Sequence, residues 1–190
     1  MTTNDPDLAK AMSLYRSHGI TSSVSDFISE PENELWNYQQ IKLGFNYRMT
    51  EIQAALGLSQ IARIDEFVAR RNAIAKIYDR GLSNQPAVLP YQNPDCKSSY
   101  HLYPIKIEMD KVKKSQKIIF KELLQNDIGV NIHYIPIYRQ PFYKNLGFKK
   151  GYCPVAEEFY RSTLSIPIYP SLTNIQQNYV INTLKRVLTA

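Results

Sequence analysis

The densest run of side chains able to hold an anion is Gly44-Phe45-Asn46-Tyr47-Arg48-Met49, directly ahead of Thr50-Glu51-Ile52-Gln53. The second tetrad has the form of a capping box, in which a threonine hydroxyl accepts the third helical amide and a glutamine reaches back. The polar run therefore ends at a helix N-terminus, where unpaired amides and a partial positive charge favour a phosphate. Asn46 could add an amide donor and Arg48 a charged fork of donors. The competing reading has Arg48 capping a carbonyl and Asn46 filling a turn, and spacing leaves the two even. A second candidate is Asn131-Ile132-His133-Tyr134-Ile135-Pro136. Read as a strand, it places Asn131 and His133 on one face and Ile132 and Tyr134 on the other. Such a strand end could offer hydrogen bonds to a sugar, although on the residues alone an ordinary surface face is favoured. Tyr138, Arg139, Gln140, Phe142 and Tyr143 prolong the aromatic stretch.

Other chemistries find little support. His18, His101 and His133 are not spaced as metal ligands, and Cys96 and Cys153 form neither a CxxC nor a CxxH pattern. No metal is expected, and a reducing compartment is the default. There is no glycine-rich phosphate loop, HExxH or nucleophile elbow. Lys111, Lys113, Lys114 and Lys117 form a solvated cluster and Lys149-Lys150 a loop pair, so none has the desolvated setting of a cofactor lysine. No catalytic residue is named. Lys plus Arg is 23 against 17 for Asp plus Glu, a net +6 that favours anionic partners. It is too small and too dispersed for a nucleic-acid module. With 44% hydrophobic and 21% charged residues the chain is globular in composition. No apolar run approaches the ~18 residues of a membrane span, and the first residues lack a secretory pattern. A cytoplasmic location is expected.

The elements that must position these groups follow from periodicity. Asn4 or Asp5 ahead of Pro6 starts a helix over 6–17, stopped by Gly19. Because the chain enters this helix almost at once, we expect a segment before it to be missing. Residues 20–44, with Ser22, Ser23, Ser25, Pro31 and Asn33, read as a long excursion that Phe27, Leu35 and Trp36 pack down. From Thr50, the recurrence of Ile52, Ala55, Leu56, Ile64, Phe67, Val68, Ile74, Ala75 and Tyr78 predicts one helix to Gly81. At ~1.5 Å per residue it would measure about 45 Å and bridge two bodies, so a boundary is placed at residue 80. After a linker over 83–98, a strand over 100–107 carries Pro104, expected at an edge or bulge. A helix over 118–124 ends at Gly129, a second strand covers 130–135, a short helix 154–164 and an apolar strand 164–169. Thr173-Asn174-Ile175-Gln176 is a further capping box, opening the last helix.

The ordered set of motifs resembles one family. Arg16-Ser17-His18-Gly19-Ile20-Thr21 and the run from Leu43 through Gly44-Phe45-Asn46-Tyr47-Arg48-Met49-Thr50 to Ala55 are similar to the DegT/DnrJ/EryC1/StrS sugar aminotransferases. Ser99-Tyr100-His101-Leu102-Tyr103, His133-Tyr134-Ile135-Pro136 and Leu164-Ser165-Ile166-Pro167 continue the likeness in order. The resemblance implies an α/β protein, a fold-type I PLP-dependent transferase. Here it would be the end of the large domain, residues 1–80, followed by a small α+β domain, 81–190. It implies pyridoxal 5'-phosphate as cofactor, glutamate and a UDP-4-keto-6-deoxy sugar as substrates, and a homodimer or a complementing N-terminal half as partner. The run from Asn131 to Tyr143 is most similar to members acting in pseudaminic-acid synthesis. The family's cofactor lysine, ring-stacking aromatic and pyridine-pairing aspartate belong upstream of the matching segments, so a C-terminal piece inactive alone is implied. By the same resemblance Asn46 and Arg48 would approach the cofactor phosphate, Asn46 also the substrate, and Asn131, Ile132, His133 and Tyr134 the nucleotide sugar. A non-catalytic dimerisation or regulatory remnant is the alternative.

Overall fold

A computed structural model describes residues 2–29 and 36–189. Pro31, Asn33 and Leu35 of the predicted excursion lie outside the described residues. The chain divides into two compact units, Met1–Ala62 and Arg63–Ala190.

In the first unit, α1 (Pro6–Arg16) starts where Asp5 Oδ1 accepts from the amides of Asp7 and Leu8 at 2.9 and 3.1 Å, with Pro6 in the first turn. It ends where the Gly19 amide donates to the Leu14 carbonyl at 2.7 Å. Strands β1 (Ile20–Thr21) and β2 (Gln39–Gln40) pair antiparallel. Glycine is required at this crossing: a Cβ on Gly19 would fall 1.9 Å from the Lys42 carbonyl oxygen, and one on Gly44 2.5 Å from the Gly19 nitrogen. Trp36, expected to pack the excursion down, is exposed. Helix α2 (Glu51–Ile61) begins with the predicted capping box: Thr50 Oγ1 accepts from the Gln53 amide at 3.3 Å, and the Thr50 amide donates to Gln53 Oε1 at 3.0 Å.

The single helix predicted to Gly81 is two helices. The ladder breaks at Ala62 and Arg63, and α3 (Ile64–Leu82) resumes inside the second unit. No proline or glycine marks the break. The apolar stripe continues across it, but only its second half is buried: Ile74, Ala75 and Tyr78 are in the core, whereas Ile52 is 84% and Leu56 62% exposed.

The second unit is built on an antiparallel sheet of order β3-β4-β5, from β3 (Ala87–Val88), β4 (Tyr103–Ile107) and β5 (Thr163–Ile166). Strand β4 alternates as a half-buried strand must, with Tyr103, Ile105 and Ile107 inside. Pro104 lies in the middle strand, yet β3 pairs only with Lys106 and Ile107, so the proline has no strand beside it on that flank. Helix α4 (Gln116–Gln125) does not end at Gly129. Asp127 takes the left-handed position (φ 56°), the Ile128 amide donating to the Leu123 carbonyl and the Asp127 amide to that of Leu124. This is a Schellman closure. A short 3₁₀ turn (Ile137–Arg139), α5 (Pro141–Asn145) and α6 (Pro154–Ser162) follow, and α6 runs straight into β5. Helix α7 (Asn174–Thr189), opened by the Thr173–Gln176 box, packs on α3 and α4. Buried polar bonds lock the assembly: Gln177 Nε2 donates to the Ile74 carbonyl at 2.8 Å and the Tyr103 hydroxyl to Asp79 Oδ1 at 2.6 Å. Burial, aided by Asp79, raises the Tyr103 phenol well above its usual value.

The strand predicted over 130–135 is absent as such. It reduces to one bridge, Asn131 with Ser165, closed by amides donating in both directions at 3.2 and 2.8 Å. Leu123 is fully buried between these layers. Leu123→Ala should therefore cost about 2–5 kcal/mol, read as a lower denaturant midpoint with an unchanged slope.

Candidate functional site

Each unit carries one candidate surface. In the first, residues 45–47 run beside the end of α1: the Phe45 amide donates to the Tyr15 carbonyl at 2.8 Å and the Tyr47 amide to that of Arg16 at 2.9 Å. This fixed stretch delivers Asn46 to the start of α2. Arg48 Nε donates to Asn46 Oδ1 at 3.0 Å, a local contact between side chains two residues apart. With its oxygen facing the guanidinium, Asn46 offers its amide nitrogen as donor. Asn46, Arg48, Gln53 and Leu56 share an open concavity of about 640 Å³ with Tyr47 and Met49. The donor set is cationic, adjacent to a helix N-terminus, and fits a phosphate.

In the second unit, the predicted common face of Asn131 and His133 is realised through Ser165 rather than through a strand. His133 Nδ1 and Ser165 Oγ stand 2.8 Å apart, with the shared proton set by the imidazole tautomer. Asn131 is exposed, and its Oδ1 accepts from the Ile132 amide at 2.8 Å. The Ile132 side chain packs against the core. Tyr134 is 72% exposed, its ring edge-on to that of His133 with centroids 4.7 Å apart. His101, Asn131, His133 and Ser165 line a concavity of about 250 Å³. It offers amide, imidazole and hydroxyl groups, the partners a polyol needs.

Asn46 and Arg48 thus form one contact group and Asn131, His133 and Tyr134 another, in different units. No lysine lines either concavity, and among the described residues no three His, Cys, Asp or Glu side chains gather as a metal site. No described helix is long and apolar enough to cross a membrane. Sequence reasoning passed over two residues, Ser165 and Glu157. The signal for Ser165 is a lone hydroxyl inside an apolar strand. Glu157 is buried and holds Tyr138 and Gly151. Those hydrogen bonds, the Gly151 amide first, keep its carboxyl below the ordinary range; burial and the bond to Glu157 raise the Tyr138 phenol.

Comparison with known proteins places this arrangement. The profile of the DegT/DnrJ/EryC1/StrS aminotransferase family matches residues 1–185, and the chain belongs to that family. A UDP-4-amino-4,6-dideoxy-N-acetyl-beta-L-altrosamine transaminase from Campylobacter jejuni is 31% identical over 189 residues, 99% of this chain and 47% of its own. PseC of Helicobacter pylori, an aminotransferase of pseudaminic-acid biosynthesis, superposes with a TM-score of 0.80 at 30% identity, covering 98% of this chain and 47% of that one. Spr1654 from Streptococcus pneumoniae, in its PLP form, superposes with a TM-score of 0.81 at 28% identity, covering 97% and 44%. The fold is that of the C-terminal portion of pyridoxal-phosphate-dependent aminotransferases, and the chain spans about half the length of these relatives.

Removing one side of the His133–Ser165 contact tests the second surface. Ser165→Ala should shift the His133 imidazole resonances in NMR spectra while costing no more than about 1–3 kcal/mol of stability. An unshifted spectrum would mean that the contact does not hold the ring.

Proposed function

We propose that this chain is the C-terminal half of a nucleotide-sugar aminotransferase that moves an amino group from glutamate to C4 of a UDP-4-keto-6-deoxy sugar, as in pseudaminic-acid synthesis. The observation that carries this reading is the family match: it runs through both candidate surfaces while spanning half of each relative. Residues 1–80 would complete the large domain and 81–190 would be the small one. Pyridoxal 5'-phosphate, when bound, supplies the electron sink that lets the amino group transfer. Asn46 and Arg48 would hold its phosphate or the substrate beside the capped start of α2, their fixed donors favouring the dianion over water. Asn131, His133 and Tyr134 would orient the sugar and nucleotide by hydrogen bonds, with Ile132 contributing its main chain. The net +6 charge suits a pyrophosphate-bearing substrate. The proton-accepting lysine would come from the upstream half, in a cytoplasmic homodimer or a complementing pair, so this chain alone would be inactive.

A second reading, a non-catalytic dimerisation or regulatory remnant, is favoured by the exposed Ile52, Leu56, Leu58 and Ile61 distributed around α2, apolar surface open to a partner.

Co-expression with the upstream half of a relative separates the two. Restored transamination of a UDP-4-keto sugar is expected, and Asn46→Ala with Arg48→Ala should lower kcat/KM about tenfold or more. Unchanged kinetics in that double variant would remove the pair from the site. A stable dimer without transamination in any pairing would favour the second reading.

A further inference from the structure

Helix α6 passes into β5 without a loop, so Glu157 and Ser165 stand on one continuous element. Ser165 fixes the chain at Asn131 and His133. Glu157 fixes it a few residues later. It is 4% exposed, and its Oε1 accepts from the Tyr138 hydroxyl at 2.8 Å and from the Gly151 amide at 2.6 Å. The Cys153 carbonyl lies 3.2 Å from the same hydroxyl. Tyr138 and Gly151 are the two ends of an excursion, 138–151, that carries α5 and is closed where its ends meet. Between those ends Lys144, Lys149 and Lys150 are exposed, and the inner contacts are edge-on rings such as Tyr143 with Phe148. Only residues 134–137 separate His133 from Tyr138. That stretch is tightened by the Arg139 amide donating to the Pro136 carbonyl at 2.8 Å.

We propose that Glu157 is a positioning residue: it latches loop 138–151 by both ends and so holds the exposed Tyr134 between two fixed points on the α6–β5 element. Its bearing on sugar-nucleotide binding rests on the aminotransferase reading, but the latch itself does not. A single buried oxygen shared by both loop ends makes the two closures interdependent. Losing the acceptor frees the Gly151 end and leaves Tyr138 only its longer contact to the Cys153 carbonyl, whereas losing the Tyr138 hydroxyl frees one end. The groups facing the carboxylate are the Gly151 amide and the Tyr138 hydroxyl, with Arg139 and Lys150 as the nearby cations. They favour its charged form, so the latch is closed at neutral pH. It weakens as pH falls through the lowered carboxyl value, because a neutral carboxyl is the poorer acceptor; the stability its charge confers is present above the unfolded carboxyl value and is lost on that descent.

The test is limited trypsin digestion at Lys144, Lys149 and Lys150 at neutral pH, where cleavage tracks the open population. Glu157→Ala should raise loop cleavage about tenfold, Tyr138→Phe severalfold, and Glu157→Gln, which keeps an oxygen acceptor but not its charge, should restore part of the protection. The loop's hydrogen-exchange protection, taken relative to the intrinsic amide rate, should fall on acidification in the native chain and stay level in Glu157→Gln. In the reconstituted enzyme, Glu157→Ala should raise KM for the sugar nucleotide with kcat within about twofold. Unchanged cleavage in Glu157→Ala and Tyr138→Phe overturns the latch, and so does unchanged cleavage in Tyr138→Phe if Glu157→Ala does not fold. Loop release with unaltered His133 resonances and KM overturns the positioning role. If no pairing transaminates, the aminotransferase reading fails, while the digestion and resonance readouts still decide this one.

Discussion

Strand β5 is buried at every position, and that burial governs the second unit. A dry strand must have its main-chain donors and acceptors paired. On one side β4 supplies the ladder over four residues. On the other, Asn131 alone meets Ser165 with two bonds, and there the chain leaves the sheet. The residues that follow, His133 and Tyr134, are therefore set by an obligatory main-chain contact rather than by their own preferences. Their irregular backbone breaks the alternation at Tyr134: a strand would put it on the face of Ile132, which packs on the core, yet it is exposed.

The two units differ in how they treat the same apolar stripe. Tyr78 and Ile74 of α3 are sealed, and Tyr78 donates its hydroxyl to the Pro167 carbonyl at 2.8 Å. Ile52 and Leu56 of α2 stay in water, as do Leu58 and Ile61 elsewhere on the same helix. Full burial of a side chain of this kind contributes about 1.5–3 kcal/mol. Four of them forgo an amount comparable to the net stability of a whole domain, about 5–15 kcal/mol. Helix α2 is thus held by its capping box and its own ladder, while its sequence is written for a covering surface that the described residues of the first unit do not form.

What the sequence revealed was whatever is decided within one turn of chain. Both threonine–glutamine boxes, the Asp5–Pro6 start and the presence of a strand at β4 are local and were legible. The break at Ala62 and Arg63 was not, since neither residue disfavours a helix. Residues 130–135 have strand composition but find a partner at one position only, and β propensity depends on such partners. The α4 terminus moved to Asp127 because Ile128 could then be buried, which outweighs glycine's easier geometry two residues later. In the candidate site, Asn46, Arg48, Asn131 and His133 were readable as polar groups flanking a cap or a proline. Glu157 was not: in sequence it is one of two adjacent glutamates on a short helix, and only the fold-back of loop 138–151 buries it.

Both candidate surfaces solve one problem in the same way. Groups that meet a ligand need access, which regular elements in a core deny, and fixed geometry, which free loops deny. In the first unit, the Gly19–Gly44 approach and the bonds of Phe45 and Tyr47 to the end of α1 fix one side of the segment, and the Thr50 box fixes the other. In the second, Ser165 holds the entry and Glu157 the exit. Each short irregular stretch is thereby pinned at both ends while its middle stays open. A substitution at a pin should displace several ligand-facing groups together, whereas one in the middle should remove only its own. That difference separates residues that touch a ligand from residues that place them.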